Sequence, residues 1–207
     1  MLLAIDTSAG TSVAVVDRDR GVIAEHAEDD TRRHAEVVGE LIDLCLRESG
    51  VSVTELSGVA VGMGPGPFTG LRVGIAAGNA FALGAGKPVV RVISHDAVVF
   101  AHYAGGASGP LLVVTDARRR EVYWSAYRGQ DDAGLPLRER EPGLAKPDEL
   151  PAEFTSFNRL DAHTVSAGAL GMLAETMYSN GRSFVGPEPL YLRSPDVTLS
   201  AGPKRVS

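Results

Sequence analysis

Two stretches, one near the start of the chain and one near its middle, share one plan. Residues 2–17, LLAIDTSAGTSVAVVD, and residues 111–127, LLVVTDARRREVYWSAY, each read as an apolar strand ending in aspartate, a short polar turn and a second apolar strand. Asp116 takes the place of Asp6. A third strand candidate follows in each half, VIAEHA at 22–27 and LPLRERE at 135–141, and helical patterns come after both. An echo of this kind constrains the fold more than local propensity does, because each strand meander needs helices to cover it. The expected architecture is α/β, with two lobes of mixed sheet and helices, residues 1–104 and 105–207, joined at the linker GGASG (105–109). The two aspartate turns are expected to border the cleft between the lobes.

Within the first half, residues 34–50 predict a helix with Thr31 as N-cap and Gly50 as its stop. Its apolar positions Val37, Val38, Leu41, Ile42, Leu44, Cys45 and Leu46 spread wider than one core-facing stripe, which predicts contact on two sides. Strands are expected at 58–63 and 88–92, and a helix capped by Ser94 at 94–104. A last helix is expected over 164–181, whereas 151–163 carries no recognisable element.

The run GMGPGPFTGLRVGIAAGNAFA (62–82) resembles a phosphate loop at first sight. Pro65 and Pro67 remove two of the N–H donors such a loop needs, and Thr69-Gly70-Leu71-Arg72 stands where Gly-Lys-Ser/Thr would close it. The dinucleotide glycine spacing fails as well. What remains is a helical pattern with Gly70, Gly74 and Gly78 on one stripe. Each glycine costs a helix roughly 1 kcal/mol relative to alanine, so another backbone must come close along that stripe. An intramolecular helix crossing and a docking surface for another chain both satisfy this.

A net charge of −6 argues against the chain gripping nucleic acid unaided, and the one dense basic run, DARRREV at 116–122, reads as a solvated turn. Cys45 is the single cysteine and lies in an apolar helical pattern, so neither a disulfide nor a cysteine-based zinc site is expected. Asp6 comes too early for a signal sequence, and no apolar run reaches membrane-spanning length. A cytoplasmic protein without a membrane segment is expected.

The duplicated strand-Asp-turn-strand plan resembles the actin-like ATPase (ribonuclease H-like) fold of sugar kinases, Hsp70 and actin. LAIDTS, HAE (34–36), AVGMGPGPFTGLRVG (60–74), KPVV (87–90), DARRREVYW (116–124) and PLYLRSPD (189–196) together resemble the TsaB (YeaZ) family. The resemblance implies a non-catalytic subunit of the machine that transfers a threonylcarbamoyl group to N6 of an adenosine beside the tRNA anticodon. It implies pairing with the catalytic paralogue TsaD, joined by the ATPase TsaE, with tRNA reached only through the complex; a homodimer using the same helices without a partner is a separate reading. It also places the shared interface on first-half helices, on His34, Glu36, Val37, Val38, Leu41, Cys45, Gly70, Leu71, Gly74 and Gly78, and so favours the partner-facing reading of the glycine stripe. Between Leu150 and Thr164 the family pattern has a longer stretch with a glycine-bearing strand, so either this member is shortened there or the sequence lacks part of the chain.

The chemistry the residues allow is limited. TsaD-like proteins hold a metal with a His-x-x-x-His pair, but no two of His26, His34, His95, His102 and His163 have that spacing, and no metal is expected. An actin-like ATPase needs a glycine after its second aspartate, where this chain has Ala117-Arg118-Arg119-Arg120. Asp6, Thr7, Ser8 and Asp116 are therefore read as vestigial nucleotide turns that satisfy their own amides. No GxSxG elbow supports a protease. The expectation is a pseudo-enzyme without cofactors, and the alternative is a weak ATP-dependent phosphotransferase.

Overall fold

The computed structural model describes residues 1–193. In chain order it contains β1 (Leu2–Asp6), β2 (Thr11–Asp17), β3 (Gly21–Glu28), α1 (His34–Ser49), β4 (Gly58–Gly62), α2 (Phe68–Ala85), β5 (Val89–Val92) and α3 (Ser94–Ala104). The second half adds β6 (Leu111–Asp116), β7 (Val122–Gln130), β8 (Pro136–Arg138), β9 (Gly143–Ala145), β10 (Asn158–Asp161) and α4 (Ala167–Ser179). The PLYLRSPD motif lies partly outside the described residues.

Two five-stranded sheets form, ordered β3-β2-β1-β4-β5 and β10-β6-β7-β8, with β9 also on β7. Each sheet pairs its opening two strands antiparallel and sets a later strand parallel to the first, β4 on β1 and β10 on β6. The α/β duplication read from sequence is therefore present. β10, whose sequence is NRLD, was not expected; it is polar, mostly exposed and pairs with β6 alone, so it carries no alternation to read.

The first sheet is covered on both faces, and all five residues of β1 are buried. Leu3 and Ile5 join Val13, Val15, Val59 and Val61 beneath α1 and α2. Leu2 and Ala4 join Ala14, Val16 and Ala60 beneath Leu170 and Leu173 of α4. The last helix, from the second half of the sequence, thus covers the first sheet. α3 packs between the lobes, with Ala97 in the cluster under α4 and Val99 and Tyr103 against Leu111, Val113 and Tyr127 of the second sheet.

The glycine stripe faces inward. A Cβ on Gly70 would stand 2.8 Å from the Thr7 carbonyl oxygen, one on Gly74 2.3 Å from Thr7 Oγ1, and one on Gly78 2.5 Å from Val61 Cγ2. The close crossing is made with the chain's own β1 turn and β4. This corrects the partner-facing reading of Gly70, Gly74 and Gly78, and of their neighbour Leu71, which is fully buried. His34, Val37, Val38 and Cys45 of α1 are likewise buried under the chain's own elements, so their side chains are not free to meet a partner. Of the expected interface residues, Glu36 is exposed and Leu41 half-buried.

Two caps also differ from expectation. Arg33, not Thr31, precedes α1 and makes no side-chain cap, while Ile93 precedes α3 and leaves the Ser94 hydroxyl for another task. Gly50 does end α1, in the left-handed conformation. Because Gly74 has no room for a methyl group, Gly74→Ala is expected to destabilise the fold by about 1–3 kcal/mol, read as a lower urea midpoint. An unchanged midpoint would mean that α2 can lift from β1 at no cost.

Candidate functional site: the cleft between the aspartate turns

The β1 turn is held from all sides. Asp6 is 1% exposed; its Oδ1 accepts from the Ser8 N–H at 2.8 Å and the Ser8 hydroxyl at 2.6 Å, and its Oδ2 accepts from the Ser94 hydroxyl at 2.5 Å. Ser94 Oγ also accepts from the Gly64 N–H at 3.0 Å. Burial pushes the Asp6 carboxyl above its ordinary range, and the hydrogen bonds from Ser8 and Ser94 work against that rise. The glycines before α2 make room for this turn, since a Cβ on Gly62 would lie 1.8 Å from Asp6 Oδ2 and one on Gly66 2.8 Å from the Ser8 Cα. Thr7 fixes the helix, its hydroxyl donating to the Gly70 carbonyl at 2.8 Å and accepting from the Gly74 N–H at 3.1 Å.

The second turn is built differently. Asp116 is exposed, its Oδ1 accepting from the Arg118 N–H at 2.9 Å. Arg118, Arg119 and Arg120 all take left-handed backbone conformations, with φ of 65°, 55° and 63°. Side chains in that region cost roughly 1–2 kcal/mol per residue. The Arg118 guanidinium reaches Asp116 at 3.6 Å and donates across the lobes to Thr31 Oγ1. Between the turns lies a cleft of about 460 Å³ whose lining includes Ser8, Asp30, Arg32, Pro67, Arg118 and His163. Arg32 hydrogen-bonds Asp30 and holds its carboxyl down at about 2.

The remaining candidate groups sit apart from this cleft. His95 is fully buried, Nδ1 at 2.7 Å from Ser125 Oγ and Nε2 at 2.9 Å from Thr115 Oγ1, and burial pushes it down to about 3, with Arg138 adding to the effect. His102 is half-buried one turn from the end of α3 and shares no site with His95. Burial raises the Cys45 thiol to about 11, and it donates to the Val13 carbonyl, an inert setting. Among the described residues no three His, Cys, Asp or Glu side chains gather to hold a metal. The tasks of Ser94, Thr115 and Ser125 left no trace in the sequence, because a lone serine or threonine inside a strand or helix start signals nothing beyond local propensity.

Against known proteins, residues 7–134 match the family model described as TsaD, tRNA N6-adenosine threonylcarbamoyltransferase. An uncharacterized protein of Mycobacterium tuberculosis is 43% identical over 128 residues, 61% of this chain and 58% of that protein. The tRNA threonylcarbamoyladenosine biosynthesis protein TsaB of Escherichia coli is 32% identical over 147 residues, 71% of this chain and 63% of that protein. The solved structure of YeaZ from Pseudomonas aeruginosa superposes with a TM-score of 0.75 at 26% identity, covering 92% of this chain and 99% of that one. The chain belongs to the TsaB (YeaZ) family. Its fold is that of YeaZ, with the strand plan of the first sheet repeated in the second. The matched region spans about three fifths of the length of these two relatives, 58% and 63%.

The buried histidine gives this TsaB-type chain an acid sensitivity. His95 has its folded pKa depressed from 6.5 to about 3, so the stability held by its neutral form is present above pH 6.5 and is lost as pH falls through that window. Between pH 6.5 and 5 the loss is expected to approach about 2 kcal/mol. Urea unfolding of the chain and of His95→Gln at both pH values checks this. The variant should show the smaller loss, and equal losses would remove His95 from the account.

Proposed function

We propose that this chain is a non-catalytic subunit in the formation of threonylcarbamoyladenosine in tRNA, acting by pairing with a TsaD-like catalytic paralogue, with a TsaE-like ATPase as a further member. The observation that carries the proposal is the outer face of α2. This helix has one charged residue, Arg72, over its whole length, and it exposes Ala76, Asn79, Ala80 and Leu83, the last 85% exposed. A surface helix ordinarily presents several charges on its outer face, and an exposed stripe whose one charge, Arg72, stands near its start suits burial against another protein. Half-buried Leu41 and exposed Glu36 belong to α1, which packs beside α2. The expected docking surface thereby moves from the glycine stripe to the opposite face of the helix that carries it.

The non-catalytic part of the reading draws on the two turns. Asp6 spends both oxygens on Ser8 and Ser94, which leaves little of it to orient a nucleotide-bound magnesium ion. Three arginine side chains stand where the second phosphate turn would need a close backbone approach. With a net charge of −6, tRNA is assigned to the partner's surface, and the setting is cytoplasmic.

Reconstitution of adenosine modification with TsaD and TsaE, with and without this chain, tests the role. Leu83→Glu and Ala80→Glu are expected to weaken the complex by about 1–3 kcal/mol, roughly tenfold or more in Kd, with the melting temperature of the isolated chain unchanged. Asp116→Asn should leave modification near its normal rate. Magnesium-ATP turnover by the isolated chain, or loss of modification with Asp116→Asn, would restore the phosphotransferase alternative.

A further inference from the structure

The two lobes meet in two unlike ways. Along α3 the contact is buried and mixed, with Val99 and Tyr103 packed into the second sheet and His95 held between Thr115 and Ser125. Beside them Asp96 accepts from the Tyr127 hydroxyl at 2.7 Å and from Arg138 at 2.7 and 2.5 Å. Around the cleft the contact is made by charged and polar groups nearer the surface. Arg118 of the second lobe donates to Thr31, three residues ahead of α1.

The chain beyond α4 supplies the other bridge. It is anchored on the first lobe by backbone and apolar contacts: the Val185 N–H donates to the Arg91 carbonyl at 3.2 Å, and the Leu190 N–H donates to the Met63 carbonyl at 2.9 Å. Both side chains pack against the first-lobe core. Tyr191 lies 4.8 Å from the Phe68 ring, whose other contact is the Arg72 guanidinium 3.7 Å from its centroid. Two residues later the strand of contacts changes lobe and character. Arg193 pairs with Glu121 and donates to the Arg118 carbonyl at 3.5 Å, both on the arginine turn.

We propose that residues 190–193 and the Arg118 turn form a releasable clasp across the cleft, with α3 as the pivot. The first-lobe end is held by packing and main-chain bonds that persist in salt. The second-lobe end is held by part-exposed charge, which salt screens and which contributes little against solvent. Three successive left-handed arginines give the turn its reach, and a turn held in sparsely populated backbone states gains by relaxing once its cross-lobe partners let go. The cleft therefore opens at the clasp while the α3 contacts stay closed. This inference concerns the isolated chain and stands apart from the assignment of a partner.

Spin labels on Glu40→Cys of α1 and Gln130→Cys of β7, both exposed positions, report the opening by double electron–electron resonance, and buried Cys45 stays unlabelled. The otherwise unaltered chain is expected to give one narrow distance at low salt that broadens and lengthens at high salt. Adding Arg118→Ala with Arg193→Ala should produce the long, broad distribution already at low salt. Arg193→Glu alone should widen it as well, and completing the charge exchange by adding Glu121→Arg to that variant should return it to the narrow one. A distribution that neither salt nor the double alanine variant changes overturns the clasp, and so does a widening that the charge exchange leaves in place. Far-ultraviolet dichroism and melting of each variant establish that the change is one of lobe attitude in a folded chain.

Discussion

One hydroxyl holds the first lobe in register. Thr7 Oγ1 donates to the carbonyl of Gly70 and accepts from the N–H of Gly74, so the turn after β1 is bonded to successive turns of α2. That geometry exists only because the helix has no Cβ at either position. Two hydrogen bonds to a buried hydroxyl are worth on the order of 1–3 kcal/mol together, similar in size to the helix propensity lost at the glycines. The crossing is thus close to neutral as a sum of propensity and hydrogen bonding, and its net gain comes from the strand–helix packing it permits. Ile5, Val59 and Val61 sit directly beneath the stripe. Everything on the far side of α2, including its outer face with Arg72 as the one charge, is presented at an angle that this contact sets.

The same loop turns a ligand-type residue into a bolt. A carboxylate at the end of a first strand can orient a magnesium-bound nucleotide when it is solvated and has lone pairs to spare. Asp6 is shut off from solvent and has three of its four lone-pair sites taken, two on Oδ1 by Ser8 and one on Oδ2 by Ser94. Desolvation makes the charged form expensive, and the three donors recover part of that cost. Such a site is strained toward holding β1, β4 and α3 together: removing the charge or any donor leaves buried polar atoms unpaired.

The sequence carried the meander of β1 to β3, the helices α1 to α3 and the echo at residues 111–127, because apolar runs there are bounded by strong turn signals. It did not carry β10, whose four residues owe their conformation to the bonds they make with β6 rather than to any pattern of their own. It also left the sense of the glycine stripe open. Periodicity says that something approaches Gly70, Gly74 and Gly78 closely, but a strand of the same chain and a helix of another leave the same mark. Family resemblance favours a partner, while the deciding group, Thr7, lies within the aspartate motif, where it reads as part of a nucleotide turn. Thr31 and Ser94 show the same limit. Both are favourable cap types, and both are engaged instead by groups far away in sequence, the Arg118 guanidinium and the Asp6 carboxylate.

Duplication of the strands without duplication of the helices explains why the two aspartates differ. After β4 the chain runs through the glycine loop into α2, which lies over its own sheet and seals Asp6. After β10, the parallel counterpart of β4, the next helix is α4, and it crosses to the other face of the first sheet, where a Cβ on Gly171 would come within 2.6 Å of Val16. Among the described residues no helix is left to close over the second turn. Asp116 therefore remains exposed, and Arg118, Arg119 and Arg120 lie at the surface, outside the kind of packing that keeps the first turn small. A turn in that position can carry three arginines in left-handed conformations, since their side chains find solvent and the opposite lobe instead of a helix. The asymmetry of the cleft, sealed on one wall and charged on the other, thus follows from which sheet the last helix covers.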